Sequence, residues 1–304
     1  MRILLVVNSF ASSVTARNTV IVHRRLSARH DVELVETNRR GHAIRFAEDA
    51  ARRGLDAVIA FGGDGTLNEV ATGVAGSTTA LGTLPGGSTN VFARTIGLPN
   101  DPIAAVDRLA AGLDAGRIGP IGLGRVGARR FCFHTGVGFD AAVVAAVERR
   151  APLKRWFGHP LFIGATVRTW VAGYDRRRPH FALRTGDGRS TDRGFFSAVL
   201  NTNPYTFLGN RALDVAPSAD LDGALVVVTF TDLRLATVAG AFGRALAGRG
   251  VDGSPGVLVW EDVHDLVIES DDPFPHQVDG DHLGDVRRLE FAHEPAAVRL
   301  IRPA

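Results

Sequence analysis

Apolar positions fall into two textures along this chain. In the first third, short continuous runs alternate with longer segments of helical spacing. Ile3 to Val7, Ala57 to Phe61 and Ala80 to Leu84 read as buried strands, and Val32 to Thr37 alternates as a strand does. Between them, Val14 to Arg29, Gly41 to Arg53 and Thr66 to Ala75 read as helices. Strands alternating with helices predict a parallel sheet covered on both faces. Beyond about Arg117 the runs shorten and are separated by Gly, Pro and Asp turns. Arg130 to Thr135, Phe181 to Arg184, Gly194 to Leu200, Leu225 to Phe230, Val257 to Trp260 and Leu266 to Glu269 predict an antiparallel sandwich or meander. Asp140 to Arg150 and Leu233 to Ala247 interrupt it as helices. Ala297 to Ile301 is strand-like and is expected to return to the first domain.

Composition narrows this only a little. The 304 residues are 45% hydrophobic and 22% charged, the balance of a folded chain with one large or two ordinary domains. The lone cysteine, Cys132, excludes an internal disulfide and favours a reducing compartment. No apolar run approaches the roughly 18–20 residues that span a bilayer, and Met1 to Val7 is too short for a signal-peptide core. The net charge is only +3, yet Arg149, Arg150, Lys154, Arg155, Arg168, Arg176, Arg177 and Arg178 fall in one stretch, which suggests an anionic partner. That stretch also carries Trp156, Phe157, Leu161, Phe162, Trp170 and Tyr174, a mixture that suits an interfacial membrane contact as well as a packed amphipathic helix.

Two glycine-rich loops hold the candidate chemistry. The first, Gly62-Gly63-Asp64-Gly65-Thr66-Leu67-Asn68-Glu69, follows a strand and opens a helix. Glycines let backbone amides approach a phosphate, and a helix start adds partial positive charge. Asp64 could hold Mg²⁺ against such phosphates. Thr66 with Glu69 three residues on has the form of a capping box. A plain strand-to-helix turn would read the same way, and the Gly-Lys-Ser/Thr ending of a Walker A loop is missing. The second loop, Gly82-Thr83-Leu84-Pro85-Gly86-Gly87-Ser88-Thr89-Asn90, ends the next strand, so both should lie side by side at one sheet edge.

Gly-Gly-Asp-Gly-Thr followed about twenty residues later by Pro-Gly-Gly-Ser-Thr-Asn resembles the diacylglycerol kinase catalytic family, with sphingosine kinases similar. Gly136-Val137-Gly138-Phe139-Asp140-Ala141, Asp220-Leu221-Asp222-Gly223 and Gln277-Val278-Asp279-Gly280-Asp281 extend the likeness over nearly the whole chain. The resemblance implies an α/β nucleotide-binding domain over 1–120, joined by 292–304, and an all-β sandwich-like lipid-substrate domain over 121–291. It places the active site in the cleft between them. It implies ATP and Mg²⁺, with Gly62, Gly63, Asp64, Gly65, Thr66, Leu67 and Asn68 on the phosphates, and Ser88 and Thr37 nearby. It implies a further Mg²⁺ held by Asp222 and the carbonyls of Ala219 and Ala224. In the family a Glu at the third position of Asp279-Gly280-Asp281 is taken as the base for the lipid hydroxyl. Here Asp281 is one methylene shorter, so either Asp281 or Asp279 can serve. Val91 stands where many members have Asp, and Asn8-Ser9 replaces Asn-Pro.

The expected protein is thus an ATP-dependent lipid kinase. It would be cytoplasmic and peripheral to an anionic membrane surface, with no nucleic-acid partner and homodimerisation left open. A kinase of a soluble acceptor, such as NAD, and a degenerate lipid-binding protein are the alternatives. Gly136-x-Gly138-x-x-Ala141 matches part of a dinucleotide fingerprint but lies mid-chain and lacks a clear acidic residue about twenty positions on. The ten histidines are scattered and form no metal set.

Overall fold

Chain order builds the first unit directly. In the computed structural model, which describes residues 1–139, 141–142, 174–175 and 177–304, the chain divides into two units. One comprises Met1–Leu123 with Pro295–Ala304, the other Gly124–Glu294. The first unit runs β1 (Arg2–Val7), α1 (Ala16–Ser27), β2 (Asp31–Glu36), α2 (His42–Arg52), β3 (Ala57–Gly62), α3 (Asp64–Val74), β4 (Ala80–Pro85), α4 (Val91–Thr95) and α5 (Pro102–Asp114). Its strands pair in the order β4-β3-β1-β2, all parallel. The end of the long strand β16 (Asp281–Ile301) adds beside β4, through Arg299 opposite Ala80 and Leu300 opposite Leu81.

The near-continuous apolar runs follow from burial on both sides. Ile3, Leu5 and Val7 point to one face, where Val22 and Leu26 of α1 and Ala105, Val106 and Leu109 of α5 cover them. Leu4 and Val6 point to the other, where α2 and α3 pack together. The strand order reverses direction between β1 and β3. In open parallel sheets the crevice at that switch point, above the carboxyl ends of the strands, is where ligands bind.

The second unit is strand-rich and antiparallel. It contains β6 (Arg129–Phe131), β7 (His134–Gly138), β8 (Phe181–Thr185), β9 (Ser190–Gly194), β10 (Phe196–Leu200), β13 (Leu225–Phe230), β14 (Val257–Val263), β15 (Asp265–Val278) and most of β16. A small hairpin joins β11 (Thr206–Leu208) to β12 (Arg211–Leu213), and β5 (Ile118–Val126) enters from the first unit. The path β14-β13-β10-β7-β15-β16 is bent at β15. Leu266–Glu269 pair with β8 and His276–Val278 pair with β7, with a register break between Glu269 and Phe274. The sheet thus closes around a core of Val137, Val199, Val227, Leu266, Phe274 and Phe291. On its other face Ala198, Leu200 and Val228 pack against Ala241 and Ala245 of α6 (Leu235–Leu246), the helix expected from the sequence.

Two expectations change. Arg130 to Thr135 is not one strand: the chain breaks at Cys132 and Phe133, whose amides turn to a side chain described below. The run Leu266 to Glu269 is only the start of a long hairpin, because polar Asp271, Asp272 and His276 hide the strand period. Of the expected helix Asp140 to Arg150 only Ala141 and Ala142 are described, both helical, and most of the basic aromatic stretch Arg149 to Arg178 lies outside the described residues. Among the described residues no helix is long and apolar enough to cross a membrane.

Candidate active site

The carboxyl ends of β1, β3 and β4 deliver three loops to one place. The two glycine pairs are explained by how closely their backbones meet. A Cβ on Gly86 would lie 2.7 Å from the Gly62 Cα, and one on Gly87 would lie 2.9 Å from the Gly63 Cα. Side chains at these positions would push the loops apart. The contact is closed by the Gly86 amide, which donates to the Gly62 carbonyl at 2.8 Å. Both loops also receive the segment after β1: Asn8 Nδ2 donates to Thr66 Oγ1 at 2.9 Å, and the Ser13 amide donates to the Gly86 carbonyl at 2.8 Å.

Asp64 ties the same loops by its side chain. Its two carboxylate oxygens accept the amides of Val91 and Phe92 at 3.0 and 3.1 Å. Burial raises its pKa, while those two amides pull it down. One carboxylate at the start of α3 therefore also caps α4, where negative charge favourably meets the unpaired amides. Asn90, in the left-handed conformation with φ 51°, completes the second loop. Its Oδ1 accepts the Gly87 amide at 2.7 Å, and its Nδ2 donates to the Gly87 carbonyl and to Asn100.

The capping box expected at Thr66 and Glu69 does not form. The cap of α3 is Gly63, and Thr66 lies within the helix, turned to Asn8. Glu69 instead reaches the neighbouring helix, accepting the amides of Gly41 and Ala43 at 2.9 and 3.0 Å and so capping α2, whose own cap residue is a glycine. Thr37 is buried just beyond β2, with its amide on the Val7 carbonyl, while Ser88 and Gly65 are exposed. Leu67 and Asn68 are buried on α3.

In the second unit the two aspartates of one turn have opposite surroundings. Asp279, buried and at φ 47°, accepts three backbone amides: Cys132 at 2.8 Å, and Phe133 and His134 at 3.1 Å. It serves as the anchor of the β6–β7 break. Asp281 is 27% exposed and pairs with Arg129 Nη2 at 2.8 Å, a partner that the sequence reading did not identify because β6 and β16 lie far apart in the chain. Behind the turn, burial lowers the pKa of His134 to about 3, so its ring is neutral, stacked against Tyr205.

The Asp222 loop joins this region by a path of hydrogen bonds. Asn201 Nδ2 donates to the Cys132 carbonyl, and the Asn203 amide donates to the Ala219 carbonyl, each at 3.0 Å. Asp222 is exposed and Ala224 half-buried. The turn is fixed by Asp220, which accepts the amides of Asp222 and Gly223. One carboxylate with backbone carbonyls is an oxygen-only set of the kind a hard cation takes. Among the described residues no group of three or more His, Cys, Asp or Glu gathers as a metal site.

The model of the diacylglycerol kinase catalytic domain matches residues 2–121. A Pseudomonas aeruginosa protein named probable lipid kinase YegS-like is 30% identical over 280 residues, covering 87% of this chain and 82% of that one. The chain belongs to the diacylglycerol kinase catalytic family. A similarly named protein of Chromohalobacter salexigens is 36% identical over 223 residues, 70% of this chain and 67% of the relative. The diacylglycerol kinase of Bacillus subtilis is 41% identical over 101 residues, a segment spanning 32% of each chain. A solved structure described as a putative diacylglycerol kinase from Bacillus anthracis shares the fold, with a TM-score of 0.76 at 21% identity over 99% of this chain and 96% of that one. Both glycine loops lie within the residues that the family model matches.

Proposed function

We propose that this kinase-family protein transfers the γ-phosphoryl group of ATP to the hydroxyl of a lipid, diacylglycerol or a close relative. The observation that carries the reading is Gly65. A Cβ there would meet nothing within 4 Å and its φ lies outside the left-handed region, so neither packing nor backbone strain calls for glycine. The exposed start of α3 is thus open to close approach by a phosphate. Around it, Gly62 to Asn68 would hold phosphates, with Ser88 and Thr37 contributing from neighbouring loops. Mg²⁺ would neutralise phosphate charge, with Asp64 reaching it through the lone pairs left beside the Val91 and Phe92 amides, and Asp222, Ala219 and Ala224 assigned to a second, structural ion.

In the step itself, the lipid hydroxyl oxygen bonds to the γ-phosphorus and the bond to the bridging oxygen of ADP breaks. The hydroxyl proton passes to Asp281. Phosphoryl transfer asks little more of a protein than position and charge. Asp281 is chosen over Asp279 because Asp279 already spends its carboxylate on three amides. A cytoplasmic protein that visits a membrane surface goes with this reading.

Two measurements test it. Labelled ATP with a panel of lipids in mixed micelles should label a lipid, with NAD unlabelled; label on NAD alone would replace the lipid reading. The glycines separate packing from ligand. Gly86→Ala should lower stability by about 1–3 kcal/mol through overpacking. Gly65→Ala should leave the melting temperature unlowered yet weaken ATP binding about tenfold or more. Equal ATP affinity in Gly65→Ala would remove the phosphate assignment.

A further inference from the structure

Helix α6 breaks the usual pattern of a surface helix. A helix packed on one side normally shows water a polar face. Within Leu235–Leu246 the one charged residue is Arg244. The inner side is small, with Ala241 and Ala245 buried against the sheet. The outer side carries Leu235, 65% exposed, and Phe242, 46% exposed, seven positions apart on the same stripe, with exposed Ala239 between them.

The surroundings of that stripe are basic. Arg234, Arg244 and Arg249 are exposed at its ends, and Arg177 joins Arg234 in lining a cavity of about 340 Å³ with Tyr174, Asp175 and Leu233. Arg193 lies near enough to act electrostatically on Asp232. The nearby acids offset part of this charge: Asp232 accepts the Arg234 amide and acts on Arg234 and Arg193, and Asp175 accepts the Arg177 amide. Arg244 donates to the carbonyls of Gly250 and Asp252 rather than to a carboxylate, so its charge is not cancelled there.

We infer that the outer face of α6 is the surface by which the protein docks on an anionic lipid bilayer. Leu235 and Phe242 enter the interface, and the flanking arginines meet the headgroups. The inference rests on the lipid-kinase reading for its purpose, since the acceptor lies in a bilayer. It does not rest on that reading for its test.

The test is co-sedimentation of the full chain with phosphatidylcholine vesicles, with and without about 30% phosphatidylglycerol, at low and high salt. Wild type should bind the anionic vesicles, and less so at high salt. Leu235→Glu/Phe242→Glu should weaken that partition at least about tenfold with an unchanged melting temperature. Leu235→Glu alone, at the more exposed site, should weaken it in the same direction and guards against misfolding. Phosphorylation of vesicle-embedded lipid should fall with binding, while that of a short-chain lipid in solution should not. Unchanged vesicle binding by both variants overturns the proposal. So does a wild-type dimer that the double variant converts to monomer without loss of vesicle binding, which would give the face to a second copy. If wild type phosphorylates no lipid but the binding results hold, the kinase reading fails and the docking face stands.

Discussion

Asp281→Asn should reduce turnover by about 10²–10⁴-fold, the range a positioned general base supplies, while ATP affinity and melting temperature hold. The substitution keeps the shape and removes the group that takes the proton. Asp281 suits the role because its carboxylate is 27% exposed and held toward one side by Arg129 at 2.8 Å. Asp281→Glu restores the side chain that the family carries here and should retain activity, since it adds one methylene and keeps the chemistry. Turnover of Asp281→Asn within tenfold of wild type, measured with saturating ATP and lipid, would move the base elsewhere.

Asp279→Ala should cost about 3 kcal/mol or more of stability, the second large effect. Three amides at Cys132, Phe133 and His134 converge on its carboxylate, and its removal leaves buried donors without an acceptor. Denaturant unfolding reads this directly. A loss of activity with a stability change below about 1 kcal/mol would instead make Asp279 part of the chemistry.

The first unit was legible because its rules are local. Ile3 to Val7, Ala57 to Phe61 and Ala80 to Leu84 announce themselves by unbroken apolar runs, Val32 to Thr37 by alternation and three helices by their spacing, so every predicted element there exists to within a few residues, while α4 and α5 went unpredicted. The second unit depends on pairings across long separations. The Asp271–His276 stretch reads as loop, yet β16 supplies the partner that makes it strand. The glycine loops were found from sequence, but not why they come in pairs. That reason, Gly86 against Gly62 and Gly87 against Gly63, belongs to two backbones and to neither loop alone. Glu69 misled for the same reason. A capping box assumes that a carboxylate serves its own helix, and this one serves the helix beside it. Arg129 carries no motif at all, and only the fold brings it to Asp281.

The strand that β16 contributes beside β4 has a consequence for synthesis. Residues Pro295–Ala304 belong to the first unit but leave the ribosome after all of the second. Until they arrive, β4 presents an unpaired edge, and the tail that lies against α5 is missing; the Arg302 carbonyl sits where a Cβ on Gly112 would be, 2.1 Å away. The glycine loops therefore reach their final support only after the whole second unit has been made. A fragment that stops near Leu123 should be aggregation-prone, even though it contains every residue of both loops.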